Sequence, residues 1–124
     1  MSLQEKPMQY LLLIYGAEDD WTKMTEGERN AMFADYRTYT DEIKQSGHYV
    51  GGNALQATHT ATTVRVRSGN SSSTDGPFAE TREQLGGYYL VEAKDLDEAT
   101  GLAARIPGAR IGSIEIRPVM PTGG

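Results

Sequence analysis

The chain has 124 residues, 38% of them hydrophobic, and a formal net charge of −5. That length predicts one domain over residues 1–124 with a modest core at about 8–120, and the negative charge argues against general affinity for nucleic acid or anionic lipid. Cysteine is absent, which excludes disulfides, thiolate nucleophiles and cysteine-based metal or redox sites. No apolar run approaches the roughly 20 residues of a membrane span, and the opening MSLQEKPMQY lacks the features of a secretory signal. The expectation is a soluble, cytoplasmic protein.

MQYLLLIY (8–15) reads as a strand that is apolar on both faces: Tyr10, Leu12 and Ile14 point one way, Leu11, Leu13 and Tyr15 the other. Residues 16–23 read as a polar loop holding Trp21. Thr25 opens a helix through a capping box with Glu28. Its apolar stripe is Met32, Phe33, Tyr36, Tyr39 and Ile43, and Gly47 is the stop. HYVGGNALQA (48–57) is a weaker strand, with a bulge or bend expected at Gly51 and Gly52.

TATTVRVR (60–67) alternates, which predicts Val64 and Val66 inward and Arg65 and Arg67 outward. Residues 68–73 read as a polar hairpin region that leaves room for only a short strand after it. GYYLVEA (87–93) is again apolar on both faces. Asp95 caps a second helix, with Glu98 in the reciprocal position and a stripe of Leu96, Ala99, Leu102, Ala103 and Ile106. Pro107 and Gly108 end it. GSIEIRPVM (112–120) is a last strand with Ile114 and Ile116 inward, Glu115 and Arg117 outward, and Pro118 marking an edge or a strand end. The tail PTGG (121–124) is expected to be disordered.

The order of elements predicts an α+β fold: a ferredoxin-like, split βαβ sheet with two helices on one face. The first strand and the 87–93 strand lie side by side at its centre. Two helices cover only one sheet face, yet both central strands are apolar on both sides. A second copy of the same sheet is the economical cover, which predicts a sheet-to-sheet homodimer.

With TDGPFAETREQLGGYYLVEA, MQYLLLIYG, ATTVRVR and ARIPGARIGSIEIRPVM on the page, the chain resembles the YCII-related proteins of the DGPF subgroup from about Met8 to Met120. The resemblance implies a dimeric α+β barrel of ferredoxin-like units, and it assigns no reaction. DGPF members are often encoded beside extracytoplasmic-function sigma factors, which suggests a regulatory context. Other YCII-like proteins are proposed to use a His–Asp pair in the barrel cleft. The first strand and its following loop contain no histidine here, so that pair does not carry over.

The residues themselves offer a short list of site candidates. Asp75 and Gly76 signal a turn, with Pro77 fixing φ and Phe78 expected to anchor it by burying its ring. One reading makes this segment a structural turn only. The other lets Glu80, Thr81, Arg82 and Glu83 converge with Arg65 on a cleft wall, where a carboxylate beside an arginine orients a substrate or acts as a base. His48 and His59 lack metal-ligand spacing, and His48 is a candidate acid–base partner of Asp75 or Glu80. The catalytic candidates are therefore Asp75, Glu80, Arg82 and His48. Tyr15, Trp21, Arg65 and Phe78 are the candidate substrate-binding residues.

No Walker loop, GxGxxG or GxSxG motif is present, so no cofactor or metal is expected. Tyr88 and Tyr89 are adjacent and face opposite ways, unlike the alternate aromatics of an RNA-stacking strand. The expected function is small-molecule binding, or cofactor-independent proton-transfer chemistry. The alternative is a non-catalytic regulatory protein partnered with a sigma factor. Neither nucleic acid nor membrane is an expected partner.

Overall fold

The computed structural model describes residues 7–121. Four strands, β1 (Met8–Gly16), β2 (Tyr49–Ala54), β5 (Gln84–Ala93) and β6 (Ser113–Pro118), form an antiparallel sheet in the order β2-β5-β1-β6. This is the order of a ferredoxin-like sheet. The two strands that are apolar on both faces are central, as their patterns require. β6, which carries Pro118, lies at one edge, where the missing N–H breaks no ladder. Residues 122–124 of the PTGG tail lie outside the described residues.

Three helices accompany the sheet: α1 (Glu18–Lys23), α2 (Glu26–Gln45) and α3 (Leu96–Ala104). Residues expected as a polar loop thus contain the short α1, whose first turn holds Glu18, Asp19 and Asp20, a charge order that suits a helix N-terminus. The capping box of α2 forms as expected, with the Glu28 N–H donating to Thr25 Oγ1 (3.1 Å) and the Thr25 N–H to Glu28 Oε1 (3.0 Å). At its other end Gly47 adopts φ +81°, while the Gly47 and His48 amides donate to the carbonyls of Lys44 and Ile43. That pair of bonds is a Schellman stop, and glycine takes the left-handed position without Cβ strain. Asp95 caps α3 by accepting the Glu98 N–H (2.9 Å). The reciprocal bond lands one residue earlier than expected, from the Lys94 N–H to Glu98 Oε1 (3.1 Å).

The core lies between the sheet and α2 with α3. Tyr10, Leu12, Tyr89, Val91 and Ala93 meet Tyr39, Ile43, Ala99, Leu102, Ala103 and Ile106, all buried. Ile14, Ile114 and Ile116 pack against this cluster. Each fully buried side chain of Leu or Val size contributes about 1.5–3 kcal/mol of transfer free energy. Tyr39 closes the layer by donating its hydroxyl to the Leu102 carbonyl (2.7 Å), joining α2 to α3. Phe33 and Leu96, at the margins of their predicted stripes, stay exposed. The bulge expected in β2 is present as a register shift between Tyr49 and Gly51. Gly52 is needed there, because a Cβ would sit 2.8 Å from the Tyr88 carbonyl and 2.9 Å from the Tyr89 ring.

The largest departure from expectation is the segment between β2 and β5. β3 (Thr62–Arg67) pairs only with β4 (Asn70–Asp75), as a separate two-stranded arm. Val64 and Val66, expected inward, are 61% and 59% exposed. The serine-rich stretch expected as hairpin connection is mostly β4 itself, and the turn is Ser68 and Gly69, both with positive φ. Alternation reports a two-faced strand, but it does not say that a helix or sheet lies beneath one face. Among the described residues no helix is long and apolar enough to cross a membrane.

Candidate functional site

Period-two alternation in β1 and β5 sends half of their apolar side chains away from the helices. Register pairs Leu11 with Leu90, Leu13 with Tyr88 and Tyr15 with Leu85, while β6 sets Arg117 opposite Leu11 and Glu115 opposite Leu13. The result is a half-buried leucine floor on a face that no helix among the described residues covers. Polar groups gather at one end of it. The Tyr15 hydroxyl donates to Glu115 Oε1 (3.3 Å), and Arg117 Nε donates to Glu115 Oε2 (3.2 Å). On the β2 side, Asn53 Nδ2 donates to the Tyr88 hydroxyl (2.8 Å).

Desolvation raises the Tyr15 phenol above its ordinary pKa, and the neighbouring Glu115 carboxylate adds to the rise. A phenol raised in this way stays protonated and serves as a hydrogen-bond donor. The Glu115 carboxylate beside it is a proton acceptor, and the Arg117 guanidinium supplies a site for an anionic group. As a surface ion pair the Glu115 and Arg117 contact contributes only about 0–1 kcal/mol, so its interest is chemical.

Loops at this end of the sheet are laced together. The Glu18 carboxylate accepts from the Thr58 N–H (2.7 Å) and hydroxyl (3.1 Å), and the Glu18 N–H donates to Gln84 Oε1 (2.9 Å). Gln84 Nε2 and the Thr81 hydroxyl donate within the 81–84 turn, and Ser113 donates to Glu83 Oε1 (2.8 Å). Ser113 pairs with Tyr15 in the ladder. The segment following Phe78 is thereby held beside the Tyr15 end of the open face.

The sequence candidates are only partly gathered there. Tyr15 belongs to the open face. Trp21 instead stacks edge-on against Phe33 (5.2 Å between ring centroids), fastening α1 to α2. Gly76 takes φ +102°, as a turn glycine should. Phe78, expected to bury its ring, is 80% exposed, because nothing among the described residues packs over the loop. Among the described residues the side chains of Asp75, Glu80, Arg82 and Arg65 make no hydrogen bond or ion pair, so the chain alone does not converge them.

His48 pairs with neither Asp75 nor Glu80. Its Nε2 lies 3.1 Å from Glu98 Oε1 and its Nδ1 2.6 Å from Ser46 Oγ. This Ser, His, Glu order has the outline of a hydrolase relay, but the adjacent amides of Gly47 and His48 are spent on helix carbonyls. No amide pair remains beside Ser46 to hold an oxyanion, and the C-terminus of α2 presents carbonyls to it. The arrangement clasps the end of α2 to the start of α3.

Glu115, Arg117, Tyr88 and Asn53 are the site residues that reading the sequence missed. The signal was present in the alternation that put Glu115 and Arg117 opposite Ile114 and Ile116. Recognising them needed the sheet order, which carries Glu115 next to Leu13 and within reach of Tyr15.

Residues 8–122 match the YCII-related domain. The chain belongs to the YCII-related family. It is also similar to an uncharacterized protein of Rhizobium meliloti (strain 1021), at 33% identity over 114 residues, which covers 90% of this chain and 92% of that one. The YCII-related match takes in every strand of the sheet, the arm and the Asp75 to Phe78 segment, so the open face and its polar end lie inside the matched region.

Proposed function

We propose that this YCII-related protein binds a small molecule on the open sheet face, and that two copies packed sheet to sheet as an α+β barrel enclose the cleft. The observation that carries this reading is the row of Tyr15, Glu115 and Arg117 standing on the leucine floor. Closing that face against a partner removes water from the row. It strengthens each electrostatic contact and leaves a protonated phenol, a carboxylate and a guanidinium around one pocket. The chemistry that fits is cofactor-independent proton transfer on an enolisable carbonyl compound. Glu115 takes a proton from the carbon beside the carbonyl, Tyr15 hydrogen-bonds the enolate oxygen, and Glu115 returns the proton, or a deuteron gained from solvent, to the same carbon. Arg117 orients an anionic substituent.

The Asp75-Gly76-Pro77-Phe78 sequence supports placement in the DGPF subgroup. The test combines sizing with ligand binding. Light scattering should report a dimer at micromolar concentration, and a thermal-shift screen of keto acids and aromatic carbonyl compounds should give a saturable rise in melting temperature. Glu115→Gln should abolish exchange of the carbon-bound proton for deuterium in the stabilising ligand. A monomer, or exchange undiminished in Glu115→Gln, would overturn the reading; stabilisation only by a sigma factor would favour a regulatory role.

A further inference from the structure

We propose that the β3–β4 arm, with Phe78 at its root, docks on a second copy of this chain at the margin of the open face and completes that copy's cleft. The inference rests on the sheet-to-sheet reading above and adds to it a residue contribution from the partner.

The arm has no job inside its own protomer. Its backbone bonds join β3 to β4, and its ties at the root are the Gly76 N–H to the Ala61 carbonyl (2.7 Å) and the Thr63 hydroxyl to the Gly76 carbonyl (2.9 Å). Yet its sequence is not that of an idle loop. Val64 and Val66 line one side, and Phe78 is left 80% exposed where the chain returns to the sheet. Three exposed apolar side chains on a projecting element mark an interaction surface.

Area and charge identify the occupant. Four strands about 4.8 Å apart, sharing about six residues of about 3.3 Å each, present about 400 Å² in projection, about half of what a stable interface buries per partner. The two six-residue strands of the arm offer about 200 Å² more on one side, and Phe78 extends that side toward the sheet. The arm therefore brings the contact to about 600 Å² per partner, the lower end of what a stable interface buries. Arg65 and Arg67 are its only charged groups before Asp75, and neither is in an ion pair among the described residues. The open face carries Glu92, Glu115 and the Arg117 paired with Glu115, a net negative charge on a chain of net charge −5. With the valine side of the arm against its margin, the alternating Arg65 and Arg67 lie on the outer side, toward the acidic body of the other copy. Like-charged bodies with a cationic arm each are complementary by exchange of arms, which is the symmetry of a two-fold dimer.

The natural absence of cysteine makes the test clean. Val66→Cys, labelled with a benzophenone maleimide and irradiated at micromolar concentration, should give a covalent dimer. Its cross-linked peptides should map to β1 or β6 of the other copy. In sedimentation velocity, Phe78→Ser and a variant whose residues 62–75 are replaced by a short Gly-Ser turn should dissociate at least about tenfold more readily than the parent, with unchanged circular dichroism. A parent dimer that both variants leave undiminished, or cross-links confined to one protomer, would overturn the arm inference and leave the sheet-to-sheet reading standing. A parent that sediments as a monomer would remove both.

Discussion

Tyr39→Phe isolates one buried hydroxyl at the junction of α2 and α3. The ring is 3% exposed, lies edge-on to Tyr89 at 5.3 Å, and has the Arg105 guanidinium over it at 5.9 Å. Phenylalanine keeps both contacts, so only the bond to the Leu102 carbonyl is lost. A buried carbonyl left with no donor costs about 1–3 kcal/mol, but Leu102 still accepts from the Arg105 N–H at 3.3 Å, which places the expected loss near 1 kcal/mol. For a chain of 124 residues that is a fall of about 4 °C in melting temperature, or roughly 0.5 M in urea midpoint, at fixed protomer concentration.

The same hydroxyl has a pH signature. Burial pushes the Tyr39 phenol far above its usual value, and burial also raises Tyr36 and Tyr89. An unfolded tyrosine releases its proton near pH 10 while the folded one retains it, so the stabilisation is fully present below about 10 and is lost as pH rises beyond it. Urea titrations from pH 8 to 11 should show the parent losing stability above about pH 10, and Tyr39→Phe losing less over the same window. A variant with the parent's midpoint and an identical alkaline slope would refute the assignment of Tyr39 as the interhelical bond.

Other expectations follow from single contacts. Thr25→Ala removes the side-chain half of the α2 capping box, the Glu28 N–H to Thr25 Oγ1 bond, while the residue 25 N–H can still donate to Glu28; it should cost about 1 kcal/mol in chemical denaturation, with Thr25→Ser restoring most of it. Gly52→Ala forces a Cβ against the Tyr88 carbonyl, which cannot retreat without breaking the β2–β5 ladder; a loss of about 1–3 kcal/mol is expected from thermal melts. The Lys94 N–H, and after it His48, hold the Glu98 carboxyl below the usual carboxylate range. Its contribution is present above about pH 4.3 and is lost as pH falls through the depressed folded value, so Glu98→Gln should flatten the acid limb of the stability curve followed by circular dichroism.

Much of the frame was legible in the residues because it rests on local rules. Thr25 with Glu28, Gly47 and Asp95 set helix ends through bonds to neighbouring amides and carbonyls. The double-sided apolar patterns of 8–15 and 87–93 placed those strands at the centre, and the facing of Ile114 and Ile116 followed from alternation. What failed was any inference that needed to know what lies across space. Val64 and Val66 alternate as core residues do, yet they belong to an arm. Phe78 has the chemistry of an anchor and finds nothing to anchor against among the described residues. His48 was matched to carboxylates in the Asp75 to Glu80 stretch, whereas the fold brings Glu98 to it from fifty residues away.

The amino-acid order by itself determined the four strands of the sheet and the two longer helices, which faces of the central strands are apolar, and that one face would be left without a helix, whereas α1 and β4 read as connections. Those properties depend on bonds and alternation within a few residues. Only the tertiary structure decided that Glu115 stands beside Tyr15, that Asn53 reaches Tyr88, and that residues 62–75 leave the sheet. Pairing across strands far apart in sequence is set by the sum of many packing contacts, and no short stretch of chain encodes it.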